Sequence, residues 1–312
     1  MKNPKLMTDN PVDRFPQVTV AMATYNGGKY LREQLDSILL QTLPPSEIIV
    51  CDDVSTDNTV DILKEYQDKG LLKYSINDRT LGYIANFKKA VSLCKNDHYI
   101  ALSDQDDIWL PEKIRSAMKL ILEIEEEKKP AMVYSDLIFV DENKKIINGS
   151  FRNEINQDTY EYCLETLLFG GFVNGCTMLM NPLMGSYFST IPDSRFSTHD
   201  TWISLIAYTF GKAGIVPLPQ ILYRRHQQNT TDLIDFIRPG RFKRLKDEIS
   251  GAFAGSKLFE KELSLVKLFY SHFKSELTEE QSKLIRKFLM LEKKGYIRKK
   301  IAFRVFFHGK WK

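Results

Sequence analysis

Residues 98–107 read HYIALSDQDD, a short apolar run that ends in three aspartates. An apolar run of this length, closed by polar residues, is typical of a strand buried on both faces of a parallel sheet. Similar runs occur upstream, VTVAMA at 18–23 and EIIVC at 47–51, and segments with helical spacing of apolar residues separate them. The alternation predicts an α/β fold with a mostly parallel central sheet, covered by helices.

The polar residues that follow these strands predict one common site. In parallel sheets, ligands bind outside the carboxyl ends of the strands. Residues 24–26, Asp52 with Asp53, and residues 104–107 each follow a predicted strand. We therefore expect these three groups to meet at one edge of the sheet.

The rest of the chain predicts a second, less regular half and a helical C-terminal region. Strands are expected at 132–134, 137–140, 176–180 and 215–223, and a helix at 200–210. After about Pro239 the chain is charged, with helices expected at 241–250, 256–274, 278–294 and 296–307. The predicted organisation is a loose leader at 1–16, a main domain at 17–235 and a basic helical region at 236–312.

The composition excludes several classes of protein. No apolar run approaches the ~18 residues of a membrane span, and the N-terminal residues lack the apolar segment of a secretory signal. Neither GxGxxG nor GxxxxGK[ST] occurs, so dinucleotide and P-loop nucleotide sites lose their main support. The cysteines form no CxxC pair, which favours reduced thiols in a cytoplasmic protein; they are Cys51, Cys94, Cys163 and Cys176.

Two of the strand ends carry residues suited to binding a nucleotide. The carboxylates of Asp104 and Asp106 are spaced to hold a hard divalent cation, and the cation can hold a diphosphate. Asp53 could accept the imide N–H of a uracil or thymine ring, and Tyr25 could stack on a base. The alternatives are acidic turns that cap the following helices, with Asp57 as one such cap, and a tyrosine in the core.

Three longer segments resemble family 2 glycosyltransferases: VTVAMATYNGGKYL, EIIVCDDVSTDNT and YIALSDQDDIWLPEKI. LGYIANF, SDQDDIW, VNGCTMLMN and YRRHQQN are most similar to the bacterial rhamnosyltransferase-type enzymes of that family. The resemblance spans about 18–230. It implies the GT-A fold and an inverting, metal-assisted transfer of a sugar from a UDP- or dTDP-sugar.

The resemblance also implies roles for individual residues. The donor site would comprise Ala23, Thr24, Tyr25, Asn26, Asp52, Asp53, Asn86, Asp104 and Gln105. Within it, Asp53 is expected to bind the base in preference to Asp52. Asp106 and Asp104 would hold Mg²⁺ or Mn²⁺, and His226 would reach the metal or the diphosphate.

The expected catalytic base is Asp200. In the family the residue before this aspartate is more often Glu, whereas in this chain it is His199. His199 is therefore a second candidate. The alternatives are a helix-capping role for Asp200 and a supporting or surface position for His199. Gly170, Gly171, Asn174 and Gly175 could form the floor of an acceptor site or a simple turn.

The C-terminal residues 283–312 are strongly basic. Eight lysines and three arginines face one glutamate there, a net charge of +10, whereas the remaining 282 residues sum to −6 and the whole chain to +4. Basic residues interleaved with aromatic and aliphatic ones favour peripheral contact with an anionic membrane, at the inner face of the cell membrane. The alternative is a helix packed on the body. No nucleic-acid motif is present, so we expect no nucleic-acid partner.

The sequence therefore predicts a cytoplasmic glycosyltransferase that acts on an oligosaccharide or lipid-linked acceptor. Two other classes stay open at this point. One is a non-catalytic protein that binds sugar nucleotides or acts as a membrane scaffold. The other is a metal-dependent phosphohydrolase, which would need an aspartate nucleophile on the first strand, where this chain has Ala23, Thr24 and Tyr25.

Overall fold

The N-terminal half alternates strands and helices as the sequence predicts. The computed structural model describes residues 15–154, 161–194, 196–226 and 258–307. The first elements are β1 (Val18–Thr24), α1 (Leu31–Leu39), β2 (Glu47–Asp52), α2 (Thr59–Asp68), β3 (Lys73–Ile76), α3 (Tyr83–Ser92), β4 (Tyr99–Ser103), β5 (Ile108–Trp109) and α4 (Lys113–Ile124). The cap residue of α2 is Asn58, one residue after the predicted Asp57, although the Asp57 carboxylate does accept the Thr59 N–H at 3.0 Å.

The second half contains β6 (Ala131–Val140), β7 (Ile146–Asn148), α5 (Phe151–Glu154), α6 (Leu164–Leu167), β8 (Leu179–Met180), α7 (Pro182–Ser186), α8 (His199–Phe210) and β9 (Lys212–Arg224). The strands predicted at 132–134 and 137–140 are one strand with a register shift. The strand predicted at 176–180 is shorter, because Gly175–Thr177 form a 3₁₀ turn. The Asn174 carbonyl accepts both the N–H and the hydroxyl of Thr177, which closes that turn.

The strands of the described residues form one mixed sheet in the order β3-β2-β1-β4-β8-β6-β9-β5, with β7 added to β6. The first four strands are parallel, and so are β6 and β9, whereas β8 runs antiparallel to both of its neighbours. Thr24 pairs with Asp52 across β1 and β2, and Met22 pairs with Ser103 across β1 and β4. The carboxyl ends of these three strands therefore lie side by side, as predicted.

Both faces of the sheet are buried because alternate side chains of each strand point to opposite sides. Val20 and Met22 of β1 pack with α1, α2 and α4, whereas Ala21 joins the core formed with α3 and α8. β1 and β4 are buried along nearly their whole length, which explains why their sequences are continuously apolar.

Three helices follow, α9 (Glu260–Phe273), α10 (Glu279–Leu289) and α11 (Tyr296–Phe307), and they extend the core on the α8 side. The Phe269 ring lies 5.5 Å from Trp202 of α8, and the Phe288 ring lies 5.0 Å from Phe169. The helix predicted at 241–250, the domain boundary at 235–236 and the leader up to residue 14 lie outside the described residues. No helix in the described part of the chain is long and apolar enough to cross a membrane.

Candidate active site

Asp52 and Asn26 tie the ends of β1 and β2 together. The Asp52 carboxylate accepts the Thr24 hydroxyl at 2.8 Å, and also the N–H and hydroxyl of Ser55. Asn26 has a positive φ of 49°, and its side-chain oxygen accepts the Thr56 N–H at 2.8 Å. Both residues lie outside the lining of the cavity described below. The structure gives them a bracing role, and their contact with a donor stays a prediction.

Asp53 holds the loop that leads into α3. Its carboxylate accepts the Leu81 N–H at 2.7 Å, the Asn77 side-chain N–H at 2.8 Å and the Gly82 N–H at 2.8 Å. Gly82 has a φ of 84°, a conformation that strongly favours glycine. The buried Asp53 carboxylate therefore fixes the wall of the cavity at the start of α3 and lines that cavity as well.

Asn86 joins α3 to the sheet. Its side-chain N–H₂ donates to the Cys51 carbonyl at 2.8 Å and to the Thr24 carbonyl at 3.3 Å. Its side-chain oxygen accepts from Asn77 at 2.9 Å. Asn86 is buried at the edge of the cavity, so it sets the separation between α3 and the two strand ends.

Gln105 fixes the backbone of Tyr25. Its side-chain oxygen accepts the Tyr25 N–H at 2.8 Å, and its side-chain N–H₂ donates to the Tyr25 carbonyl at 3.0 Å. Tyr25 as a whole is 51% exposed and lines the cavity together with Ala23 and Thr24. The paired hydrogen bonds hold the Tyr25 main chain while its ring stays accessible at the rim, where a flat base could stack on it.

The three aspartates after β4 form an acidic group with too few countercharges. Burial, with the charges of Asp106 and Asp200, raises the pKa of Asp104 to about 7, and burial also raises the pKa of Asp107. Apart from the Cys176 thiol, no group of the described residues donates to the buried Asp107 Oδ2. Ligand atoms of Asp104, Asp107 and Cys176 all lie within 4.8 Å of one another. These carboxylates fit a hard divalent cation, which would relieve their mutual repulsion.

Sequence reasoning included Asp107 only within the polar group 104–107, with no role of its own, and missed Cys176 and Lys113. Asp107 is the third acid of SDQDD, and that adjacency was the available signal. Cys176 comes from a distant segment, and burial raises the pKa of its thiol, so the thiol stays protonated at neutral pH. Lys113 is buried with its ammonium 3.7 Å from the centre of the Trp109 ring, and burial lowers its pKa to about 7. Only the fold brings Cys176 beside Asp104 and Asp107.

His226 contacts the predicted metal ligand Asp106. Its Nε2 lies 2.9 Å from Asp106 Oδ2, and its ring lies 4.9 Å from the ring of Tyr30. His226 itself lies outside the lining of the cavity. The neighbouring Arg224 is buried and donates to the Asp106 carbonyl at 3.1 Å, which fixes the main chain beneath that carboxylate.

Asp200 occupies the first turn of α8, one residue after the helix begins. Its Oδ1 accepts the Thr201 N–H at 2.6 Å. The residue before the helix is Thr198, so Asp200 is not the cap residue that the alternative interpretation expected. It lines the cavity, and its charge contributes to the raised pKa of Asp104, which places the two carboxylates in one electrostatic field.

His199 is buried, so the surface position considered from the sequence is wrong. Its ring lies 4.6 Å from the Phe87 ring and 6.3 Å from the Tyr83 ring. Neither ring nitrogen has a hydrogen-bond partner in the described part of the chain. Burial lowers the pKa of His199, so the ring is neutral at neutral pH. A Cβ added to Gly175 would lie 2.2 Å from His199 Nε2, which shows how closely that segment approaches.

All these segments surround one cavity of about 420 Å³, a size within the range of small-ligand sites. The predicted residues that line it are Ala23, Thr24, Tyr25, Asp53, Asn86, Asp104, Gln105, Asp106, His199 and Asp200. Asn174 and Gly175 line it as well, whereas Gly170 and Gly171 do not. Lining residues that sequence reasoning missed are Thr80, Gly82, Tyr83, Phe87, Cys176, Thr198 and Tyr223. The polar ends of β1, β2 and β4 and the start of α8 thus open onto the same space.

Comparison with known proteins supports this architecture. Residues 19–182 match the model of the family described as glycosyl transferase family 2. An uncharacterized glycosyltransferase of Methanocaldococcus jannaschii is 35% identical over 150 residues, covering 47% of this chain and 49% of that protein. The dTDP-rhamnosyl transferase RfbG of Shigella flexneri is 39% identical over 110 residues, covering 32% of this chain and 37% of that protein. The chain thus spans about half or less of the length of these two relatives.

The fold is also found among solved structures. The crystal structure of S. aureus TarS 1–349 in complex with UDP-GlcNAc superposes with a TM-score of 0.53 at 19% identity, covering 88% of this chain and 79% of that TarS 1–349 chain. This likeness shows a shared fold, and it confirms the GT-A architecture expected from the sequence. The family model covers just over half of the chain and includes the ends of β1, β2 and β4. The chain therefore belongs to glycosyl transferase family 2.

Proposed function

We propose that this protein is an inverting, metal-dependent glycosyltransferase that uses a UDP- or dTDP-sugar, with rhamnose as the candidate sugar. The observation that carries the proposal is the shared cavity, in which Asp104 and Asp106 lie with Asp200 around one space. The family match and the dTDP-rhamnosyl transferase among the relatives support this choice. The acceptor would be a hydroxyl of a polysaccharide or of a lipid-linked oligosaccharide.

The donor would bind at the ends of β1, β2 and β4. The accessible Tyr25 ring offers a stacking surface for the base, and Asp53 lies on the same wall. Asp104 and Asp106 would hold Mg²⁺ or Mn²⁺ beside the diphosphate, with His226 supporting Asp106 through its 2.9 Å contact. When bound, the divalent cation supplies countercharge for the diphosphate leaving group.

Asp200 would act as the general base. As the acceptor oxygen attacks the anomeric carbon, the proton of the acceptor hydroxyl passes to the Asp200 carboxylate. The bond from the anomeric carbon to the diphosphate oxygen breaks at the same time. Attack from the side opposite the leaving group inverts the configuration. His199 is neutral and packs against Phe87, so its role would be to shape the wall next to Asp200.

Two variants separate metal-dependent binding from chemistry. Asp106→Asn should lose the metal-dependent tightening of donor binding, measured by calorimetry with UDP and dTDP in the presence and absence of Mn²⁺. Asp200→Asn can still accept the Thr201 N–H, so it should keep its stability and its donor affinity. Its turnover should fall by ~10² or more, because the base is gone. Asp97→Asn, at an exposed acid that is absent from the cavity lining, is the matched control.

The assays also decide between the proposal and its rivals. Release of nucleoside diphosphate from a sugar nucleotide supports a transferase, whereas release of phosphate from a phosphomonoester would support a phosphohydrolase. Near-normal turnover of both Asp106→Asn and Asp200→Asn would contradict the assigned roles. A thermal-shift comparison of UDP- and dTDP-sugars identifies the donor, since a ligand at 100 times its Kd adds ~2.7 kcal/mol of stability.

The proposal includes the location predicted from the sequence. We expect a cytoplasmic protein that contacts the inner face of an anionic membrane through residues 283–312. The basic composition of that segment supports this expectation. A membrane location would bring the cavity to a lipid-linked acceptor.

A further inference from the structure

Helix α11 divides its apolar side chains between two faces. Phe303 and Phe306 face the body, where their rings lie 5.3 and 5.1 Å from the ring of Phe169. Ile297, Ile301 and Val305 face outward and are 67%, 55% and 57% exposed. The aromatic residues therefore serve the core, and aliphatic residues alone form the exposed apolar stripe of this helix.

The exposed stripe has basic borders. At 3.6 residues per turn, Ile297, Ile301 and Val305 span an arc of about 80°. Arg304 lies about 20° beyond one side of that arc and Arg298 about 20° beyond the other. Both arginines are exposed. On the exposed side of the helix, an apolar stripe between two basic borders matches an anionic membrane surface, which takes up apolar side chains and attracts basic ones.

The charge around the stripe has one sign. From residue 293 onward the sequence contains six lysines and two arginines and no acidic residue. Each basic residue near an anionic bilayer strengthens partition by about fivefold. The apolar surface that three aliphatic side chains expose is much smaller than the roughly 800 Å² that each partner buries in a stable protein interface. The small apolar area and the uniform positive charge together favour an anionic lipid surface over a protein partner.

We propose that the exposed stripe of α11, formed by Ile297, Ile301 and Val305 between Arg298 and Arg304, is the face that docks this protein on an anionic lipid bilayer. The inference deepens the proposed function, since it names the surface through which the protein reaches a membrane. It also assigns Phe303 and Phe306 to the fold, so they do not enter the bilayer.

The inward face of α11 packs on a segment that leads to the cavity. Phe169, on which α11 packs, lies two residues after the end of α6, and Asn174 and Gly175 line the cavity five and six residues later. Because these residues are joined through one short piece of chain, docking through α11 would hold the cavity close to the membrane surface.

The test is cosedimentation of the full chain with two kinds of vesicle, pure phosphatidylcholine and phosphatidylcholine mixed with phosphatidylglycerol. The unmodified protein should bind the mixed vesicles and lose binding as salt rises. Ile301→Asp should bind them at least about tenfold more weakly. Ile147→Asp is the matched control, since Ile147 is also an exposed aliphatic residue, at 52%, on β7.

A charge pair completes the design. Arg298→Glu with Arg304→Glu should weaken binding at least about 25-fold, since the loss of each basic residue weakens it about fivefold. Lys95→Glu with Lys119→Glu makes the same charge change at exposed sites elsewhere and should weaken it much less. Thermal unfolding checks that each variant folds, and Ile301→Ser replaces Ile301→Asp if the latter does not.

Several results would overturn the inference: no binding by the unmodified protein at low salt, equal binding to both vesicle types, or equal losses in the α11 variants and their controls. Nucleotide binding and transfer to a soluble acceptor are measured separately on the same proteins. Failure of vesicle binding with intact transfer refutes the docking face alone. Failure of transfer with intact vesicle binding refutes the proposed function alone.

Discussion

Arg224 should be essential for holding Asp106 in place, and Arg224→Lys tests this role. The buried guanidinium donates to the Asp106 carbonyl at 3.1 Å and to the Glu142 carbonyl at 3.0 Å, and it pairs with Glu33 of α1. Its carbon also lies 4.6 Å from the centre of the Tyr30 ring. Lysine keeps the charge but lacks the planar fork that serves three partners in different directions.

The structure sets the size of the expected effect. A hydrogen bond from a charged group contributes about 1.5–3 kcal/mol, and lysine can retain one of the three interactions. Two interactions are lost, so we expect the free energy of unfolding to fall by about 3–6 kcal/mol. Without its anchor, the Asp106 main chain must be ordered when donor and cation bind, at a cost of about 1–2 kcal/mol. That cost corresponds to donor binding about tenfold weaker in the presence of Mn²⁺.

Chemical denaturation and calorimetry with UDP or dTDP in Mn²⁺ measure the two effects of Arg224→Lys. Arg115→Lys is the control, since Arg115 also donates to a main-chain carbonyl, that of Thr42, but lies away from the cavity. The control should lose some stability and keep its donor affinity. Unchanged donor affinity in Arg224→Lys, or an equal loss in both variants, would refute the positioning role of Arg224.

Three further predictions concern the base, the core and the pH dependence. Tyr25→Ala should weaken nucleotide binding about tenfold or more in calorimetry, since stacking on one base contributes ~1–3 kcal/mol, whereas Tyr25→Phe should not. Phe169→Ala should lower the free energy of unfolding by about 3–5 kcal/mol in denaturant titrations, against less than about 1 kcal/mol for exposed Leu40→Ala. Burial lowers the pKa of Lys113 from 10.5 to about 7. Between pH 7 and pH 10.5, Lys113 is therefore protonated in the unfolded chain and neutral in the folded protein, so the free energy of unfolding rises with pH. Lys113→Met should reduce that slope by up to about 1.4 kcal/mol per pH unit, and parallel curves would contradict the assignment.

The sequence by itself determined the strand order along the chain and the place where the site forms. Continuous apolar runs followed by polar residues are local features, and parallel strands bring their carboxyl ends together whatever the details of packing. For this reason Tyr25, Asp53, Asp104 and Asp106 could be predicted at one edge of the sheet. The place of Asp200 in the site could be assigned only through resemblance, because periodicity carries no information about which side of the sheet its helix covers.

Only the tertiary structure decided which side chains support the site and which can meet a ligand. Cys176 reaches Asp107 from a distant segment, and such a contact leaves no periodic signal in the sequence. His199 is buried because α3 packs beside α8. The sequence shows only a histidine next to an aspartate, so it could not reveal that the ring is neutral and lies among apolar side chains. The same holds for α11, where an interleaved basic and apolar sequence predicts an amphipathic surface. In the structure, the phenylalanines of α11 face inward because they pack on Phe169, and its aliphatic residues therefore face outward.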